Sequence, residues 1–126
     1  MPTVTVDDRS VEVPTGTRLT IAIERAGIDI GHRCGGKARC TTCRVEVHEG
    51  GGEAMTRAEF VRLREAGLLD THRLSCQMVV EHDIRVESVM TKQNQGWPDT
   101  GPALAEHVVP EAVWLERSAL EAEQGV

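Results

Sequence analysis

The chain has 126 residues, a formal net charge of −6, 4 cysteines and only Phe60, Trp97 and Trp114 as aromatics. This length suits one domain, the acidic balance argues against general nucleic-acid binding, and no apolar run reaches the roughly 18 residues of a membrane span. The acidic start MPTVTVDD is unlike a secretory signal, so a cytoplasmic protein is expected, in which clustered thiols more often hold a metal than form disulfides.

TVTVDD (3–8) and RSVEVP (9–14) both alternate apolar with polar and are divided by Asp-Asp-Arg, which predicts a β-hairpin. TRLTIAIERAG then spaces Leu19, Ala22, Ile23 and Ala26 as one helical face, with Thr17 available as N-cap and Gly27 as terminator. After the cysteine loop, RVEVHE predicts a strand with Val45 and Val47 inward. GGG (50–52) makes a corner before MTRAEFVRLREAG, a helix that opens with Thr56 and Glu59 at capping-box spacing and buries Phe60 and Leu63. RLSCQMVV (73–80) reads as a buried strand, and IRVESV (84–89) as the last strand. TKQNQGWPDTGP (91–102) reads as a linker, and PEAVWLERSALEAE (110–123) as a terminal helix expected to dock on its own domain. The division is therefore a domain over 1–90 and an extension over 91–126, with a mixed sheet packed on one main helix.

Three cysteines crowd into HRCGGKARCTTCRVEV and the fourth lies alone in RLSCQM, giving Cys34-x5-Cys40-x2-Cys43-x32-Cys76. A two-iron, two-sulfide cluster needs four thiolates, two on each iron, from a loop whose backbone approaches the sulfurs closely. Gly35 and Gly36 suit that approach. Four thiolates can also hold zinc, but structural zinc sites favour two close Cys-x-x-Cys pairs and only Cys40 with Cys43 makes one. A Rieske centre would need two histidine ligands, and His32 and His72 lack the paired spacing with cysteine. His32 is expected at the surface beside the loop.

CGGKARCTTCRV together with RLSCQ resembles the [2Fe–2S] ferredoxin family over residues 1–90. The first gap holds five residues rather than the four of the plant-type pattern, as in the adrenodoxin-like and related bacterial branches. The resemblance implies an α+β fold of the β-grasp (ubiquitin-like) type, a mixed sheet packed on one main helix with the cluster loop at one edge. It implies a [2Fe–2S] cluster in which Cys34 and Cys40 hold one iron, the one that takes the electron, and Cys43 and Cys76 hold the other. It further implies a monomeric one-electron carrier, not an enzyme, with a reductase as donor and an oxidoreductase as acceptor. A redox-sensing module, whose cluster state controls partner binding, is the alternative, and the acidic extension is the feature that favours it.

Charge is unevenly spread. Residues 1–90 hold 12 Lys/Arg against 14 Asp/Glu, and residues 91–126 hold 2 against 6. Between Gly31 and Arg44 stand Arg33, Lys37, Arg39 and Arg44 with no carboxylate. Two ferric ions, two sulfides and four thiolates leave two negative charges, and reduction adds a third. Nearby cations therefore favour the reduced form, and a potential above the plant-type value of about −400 mV is expected. The same cations are expected to meet an acidic patch on a redox partner.

Overall fold

Alternation in TVTV and RSVE folds as predicted into strands β1 (Thr3–Val6) and β2 (Arg9–Glu12), an antiparallel hairpin with Val4 opposite Val11. The turn works because Asp7 adopts φ 56°, the left-handed region that Asp tolerates better than most residues. Its carboxylate then accepts from the Ser88 N–H at 2.9 Å and the Ser88 hydroxyl at 2.7 Å, tying the turn to the last strand. The computed structural model describes residues 1–33, 35–36, 41–50, 54–101, 104–105, 108 and 113–124.

Helix α1 (Leu19–Arg25) follows a two-residue strand, β3 (Thr17–Arg18). Thr17 is not the N-cap. Its hydroxyl donates to the Pro14 carbonyl at 2.7 Å, its backbone pairs with Val80, and the cap position falls to Arg18. The expected helical face is real: Leu19, Ala22 and Ile23 are buried and Ala26 packs beside them.

Strand β4 (Arg44–Glu49) leaves the cysteine loop. Helix α2 (Arg57–Ala66) has Thr56 as N-cap, whose hydroxyl accepts from the Glu59 N–H at 3.2 Å, while Gly67 closes it at φ 73°. The Glu59 side chain does not return to the cap; it is buried against Arg73. RLSCQMVV is not one strand. It divides into β5 (Arg73–Leu74), a 3-10 turn (Ser75–Gln77) and β6 (Val79–Val80). Strand β7 is Ile84–Ser88.

The main sheet runs β2-β1-β7-β4-β5, with β1 and β7 parallel and the other pairs antiparallel, and β3 pairs with β6 in a second small sheet. An aliphatic core of Val4, Val6, Val13, Leu19, Ala22, Ile23, Ile30, Val45, Val80, Ile84 and Val86 lies between the sheet and α1. This is the mixed α+β arrangement of the β-grasp type.

The segment expected to be a plain linker starts with a short helix, α3 (Lys92–Gln95), framed by a capping box of Thr91 and Asn94. Asn in place of Glu or Gln hid that signal in the sequence. Helix α4 spans Arg117–Gln124 rather than starting at Pro110, which lies outside the described residues. Leu120 is fully buried against Met55 and Phe60, whereas Val113 is half exposed. Leu115 bridges Met55, Arg57 pairs with Glu123, and Arg117 meets Asp70 at 2.6 Å, so the extension packs along α2. Among the described residues, no helix is long and apolar enough to cross a membrane.

Candidate metal centre

Two of the four predicted thiols fall on described residues, and the fold brings their backbones together. Cys43 ends the loop immediately before β4, and Cys76 sits in the middle of the 3-10 turn after β5; both are buried. The β4–β5 register sets Arg44 opposite Leu74, which brings Ser75 to Cys43. Ser75 donates twice to the Cys43 carbonyl, from its N–H at 3.2 Å and its hydroxyl at 2.8 Å. Its hydroxyl also lies 3.1 Å from that of Thr20 on α1. Leu63 and Leu74 complete the buried cluster around the two cysteines, with Ala58, Leu68 and Leu69 packed at its margin. Cys34 and Cys40, like Lys37 and Arg39, lie outside the described residues.

Gln77 shows why RLSCQM bends instead of running straight. Its side-chain N–H points at Cys76 Sγ at 3.8 Å, its side-chain oxygen accepts from the Thr56 hydroxyl at 2.6 Å, and its carbonyl accepts from the Trp114 indole at 3.0 Å. The bonds to Thr56 and Trp114, both distant in the chain, outweigh the strand preference of the surrounding apolar residues. Below the turn, burial pushes the Glu59 carboxyl above its ordinary range, against the Arg73 guanidinium and the Leu74 N–H that bond to it. That ion pair staples α2 to β5 next to Cys76.

On the loop side, Gly35 and Gly36 have φ of 73° and 77°. A Cβ on Gly36 would lie 2.8 Å from an Arg18 guanidinium nitrogen and 2.7 Å from Leu104, so glycine is needed for space as well as for dihedral. The Arg33 N–H donates to the Thr42 hydroxyl at 3.0 Å, joining the two ends of the loop. Arg33 is exposed, with its guanidinium 5.1 Å from the centre of the Trp97 ring. Arg44 is half-buried and bonds the Thr41 hydroxyl at 3.1 Å and Met90 sulfur at 3.3 Å. His32 is buried rather than at the surface, with Nε2 3.1 Å from a Glu24 carboxylate oxygen. Its depth follows from the extension, which covers it: the His32 N–H donates to the Thr100 carbonyl at 2.8 Å.

Arg18 was not singled out from the sequence. It is fully buried and donates to the carbonyls of Cys76, Gly36 and Ala105, one each on the last-cysteine turn, the cysteine loop and the extension. A signal for it existed. A cation at a helix N-terminus opposes the helix dipole, so Arg18 directly before LTIAI breaks a local rule, and such breaks mark positions held for another purpose.

The residues present fit an iron–sulfur cluster. Soft thiols are buried among leucines, a side-chain amide N–H is aimed at sulfur, a glycine turn would be filled by any Cβ, and a buried cation stands beside them.

The family model described as "2Fe-2S iron-sulfur cluster binding domain" matches residues 3–81. Among curated relatives, a component of the Na(+)-translocating NADH-quinone reductase of Idiomarina loihiensis is 39% identical over 82 residues, covering 64% of this chain and 20% of that protein. The Methylococcus capsulatus counterpart is 38% identical over 80 residues, covering 63% and 19%. The chain thus spans about a fifth of the length of the curated relatives it matches. Among solved structures, an ISC-like [2Fe-2S] ferredoxin from Pseudomonas putida is 32% identical with a TM-score of 0.57, covering 69% of this chain and 91% of that one. A chain of the covalent putidaredoxin reductase–putidaredoxin complex is 28% identical with a TM-score of 0.53, covering 68% and 95%. The chain belongs to the 2Fe-2S iron-sulfur cluster binding domain family, as a ferredoxin-type electron-transfer domain whose cofactor is a [2Fe–2S] cluster.

Proposed function

We propose that Cys34, Cys40, Cys43 and Cys76 ligate the cluster and that the protein carries single electrons from a reductase to an acceptor oxidoreductase. The observation that supports the reading is the double hydrogen bond from Ser75 to the Cys43 carbonyl, which ties together the backbones of two distant segments whose cysteines share one buried cluster. The likeness to a ferredoxin crystallised in a reductase complex supports a reductase as donor.

When bound, the cluster accepts and releases one electron with no bond to substrate made or broken. The protein's part is to hold and insulate. Cys43 and Cys76 supply soft negative donors, and the leucines around them keep the local dielectric low. The Gln77 N–H favours charge on Cys76 sulfur. Exposed Arg33, with Lys37 and Arg39 of the same loop, offers positive charge to an acidic partner surface.

Anaerobically purified protein should contain two irons and two acid-labile sulfides per chain, and its visible absorbance should bleach with dithionite. Cys76→Ser should lose nearly all of that colour. A colourless wild-type chain after anaerobic reconstitution, or a Cys76→Ser variant with the full complement of iron and an unaltered spectrum, refutes the assignment.

The regulatory alternative has one observation in its favour. The extension bonds directly to the site, at Thr100–His32 and Ala105–Arg18. Limited proteolysis of residues 97–105 in the oxidised and reduced proteins tests it: cleavage that differs between the two supports a sensor, and identical cleavage leaves the carrier reading alone.

A further inference from the structure

Arg18 is buried completely, yet its hydrogen-bond partners are three backbone carbonyls: Cys76 at 2.7 Å from Nε, Ala105 at 2.9 Å from Nη1, and Gly36 from Nη2. No carboxylate among the described residues pairs with it. The contrast with Arg73 is direct. That guanidinium is also largely buried, and it has the Glu59 carboxylate at 2.6 Å. Carbonyl dipoles satisfy N–H groups but do not neutralise a charge, and a cation taken out of water with no anion nearby is costly.

The anion that fits is the cluster itself. Two of the three carbonyls that Arg18 grips belong to the turn that carries Cys76 and to the glycine pair of the cysteine loop. The guanidinium therefore stands between the two segments that would wrap the cluster. A core with four thiolates is doubly negative when oxidised and triply negative when reduced, so a fixed cation there stabilises the reduced form more. Burial distinguishes it from its neighbours. Arg33 is exposed and Arg44 half-buried, so salt and solvent weaken their influence, whereas Arg18 is shielded from both. The third carbonyl explains the shielding. Ala105 is bonded to Arg18, and Leu104 crowds the Gly36 position, so the extension closes over the guanidinium.

We propose that Arg18 is the buried counter-charge of the iron–sulfur cluster, a residue that raises its reduction potential through fixed charge and fastens residues 104–105 over the site. This rests on the electron-carrier reading above and assigns to Arg18 a role in that same site.

The test is redox titration of the loaded full chain with Arg18→Gln, Arg18→Lys and, as a surface control, Arg33→Gln, at low and high salt. Arg18→Gln should shift the oxidised-to-reduced balance at least tenfold toward oxidised, which is about 59 mV for one electron. That shift should persist at high salt, while any shift in Arg33→Gln should fade. Arg18→Lys, which keeps the charge but cannot reach three carbonyls, should stay within about threefold of wild type.

A loaded Arg18→Gln protein with an unmoved potential overturns the proposal and leaves the carrier reading intact. An Arg18→Lys protein shifted as far as Arg18→Gln also overturns it, because packing and not charge would then be responsible. Should Arg18→Gln fail to fold or load, Arg18→Lys decides: a potential near wild type supports the proposal, and a tenfold loss refutes it. A wild-type chain that holds no iron at all would instead sink the carrier reading.

Discussion

The two ends of the molecule are built from different materials. At the hairpin end, the interior between β1, β7 and α1 is aliphatic: Val4, Val6, Val13, Ala22, Ile23, Ile84 and Val86. At the cysteine end, the interior contains Arg18, Thr20, Thr56, Glu59, Ser75 and Gln77, all buried. Buried polar groups are expensive unless satisfied, and here they satisfy one another and the backbone: Thr56 with Gln77, Thr20 with Ser75, and Glu59 with Arg73. The aliphatic end needs only to exclude water. The polar end spends hydrogen bonds to fix where two thiols sit, which apolar packing alone would leave less defined. This fold keeps its stability and its cofactor geometry in separate places.

Perturbing each end should therefore give separable readouts. The largest effect is expected at the aliphatic end. Ile23→Ala removes a fully buried side chain and should cost about 3 kcal/mol in denaturant unfolding. The visible circular dichroism and the potential of the folded protein should stay as in wild type. A shift in either would mean that the two ends are coupled.

Ser75→Ala acts at the other end. It removes the hydroxyl donated to the Cys43 carbonyl and the contact with Thr20, and should cost about 1–2 kcal/mol. Its distinctive mark should be an altered visible circular dichroism spectrum, because the Cys43 carbonyl keeps only the backbone N–H of its two donors and its position loosens. A variant that loses stability with an unchanged spectrum would break the comparison.

The smallest effect is a slope. Glu59 has a carboxyl raised above its ordinary value of 4.5, so its favourable contribution is complete below that pH and is lost as pH rises through the higher folded value. Glu59→Gln, which resembles the protonated acid, should lack that decline. The difference cannot exceed about 1.4 kcal/mol per pH unit for one proton. Parallel stability curves for the two proteins from pH 4 to 7 would contradict it.

The aliphatic end was legible in the sequence, and the cysteine end was legible mainly in its cysteines. Period-2 alternation predicts β1, β2, β4 and β7, and the spacing of Leu19, Ala22 and Ile23 predicts α1, because burial on one face is what shapes those segments. At the cysteine end the local pattern is overruled. RLSCQMVV looks like a strand, but Ser75 and Gln77 bond to residues 20 or more positions away and bend it into a turn. His32 reads as a surface residue, and Arg18 goes unmarked, because what covers them, the Thr100 and Ala105 region of the extension, is distant in the chain. Thr17 reads as a cap until the pairing of β3 with β6 claims its backbone.

The positions of the two tryptophans carry a practical consequence. Trp97 lies against Gly31, where a Cβ would come within 2.6 Å of its ring, and the Trp114 indole bonds to the residue after Cys76. The chain has no others, so every indole it owns contacts a segment that carries a cysteine of the proposed ligand set. Ultraviolet emission should therefore be dim while the visible absorber is in place and brighten as it is lost, giving a label-free optical gauge of occupancy.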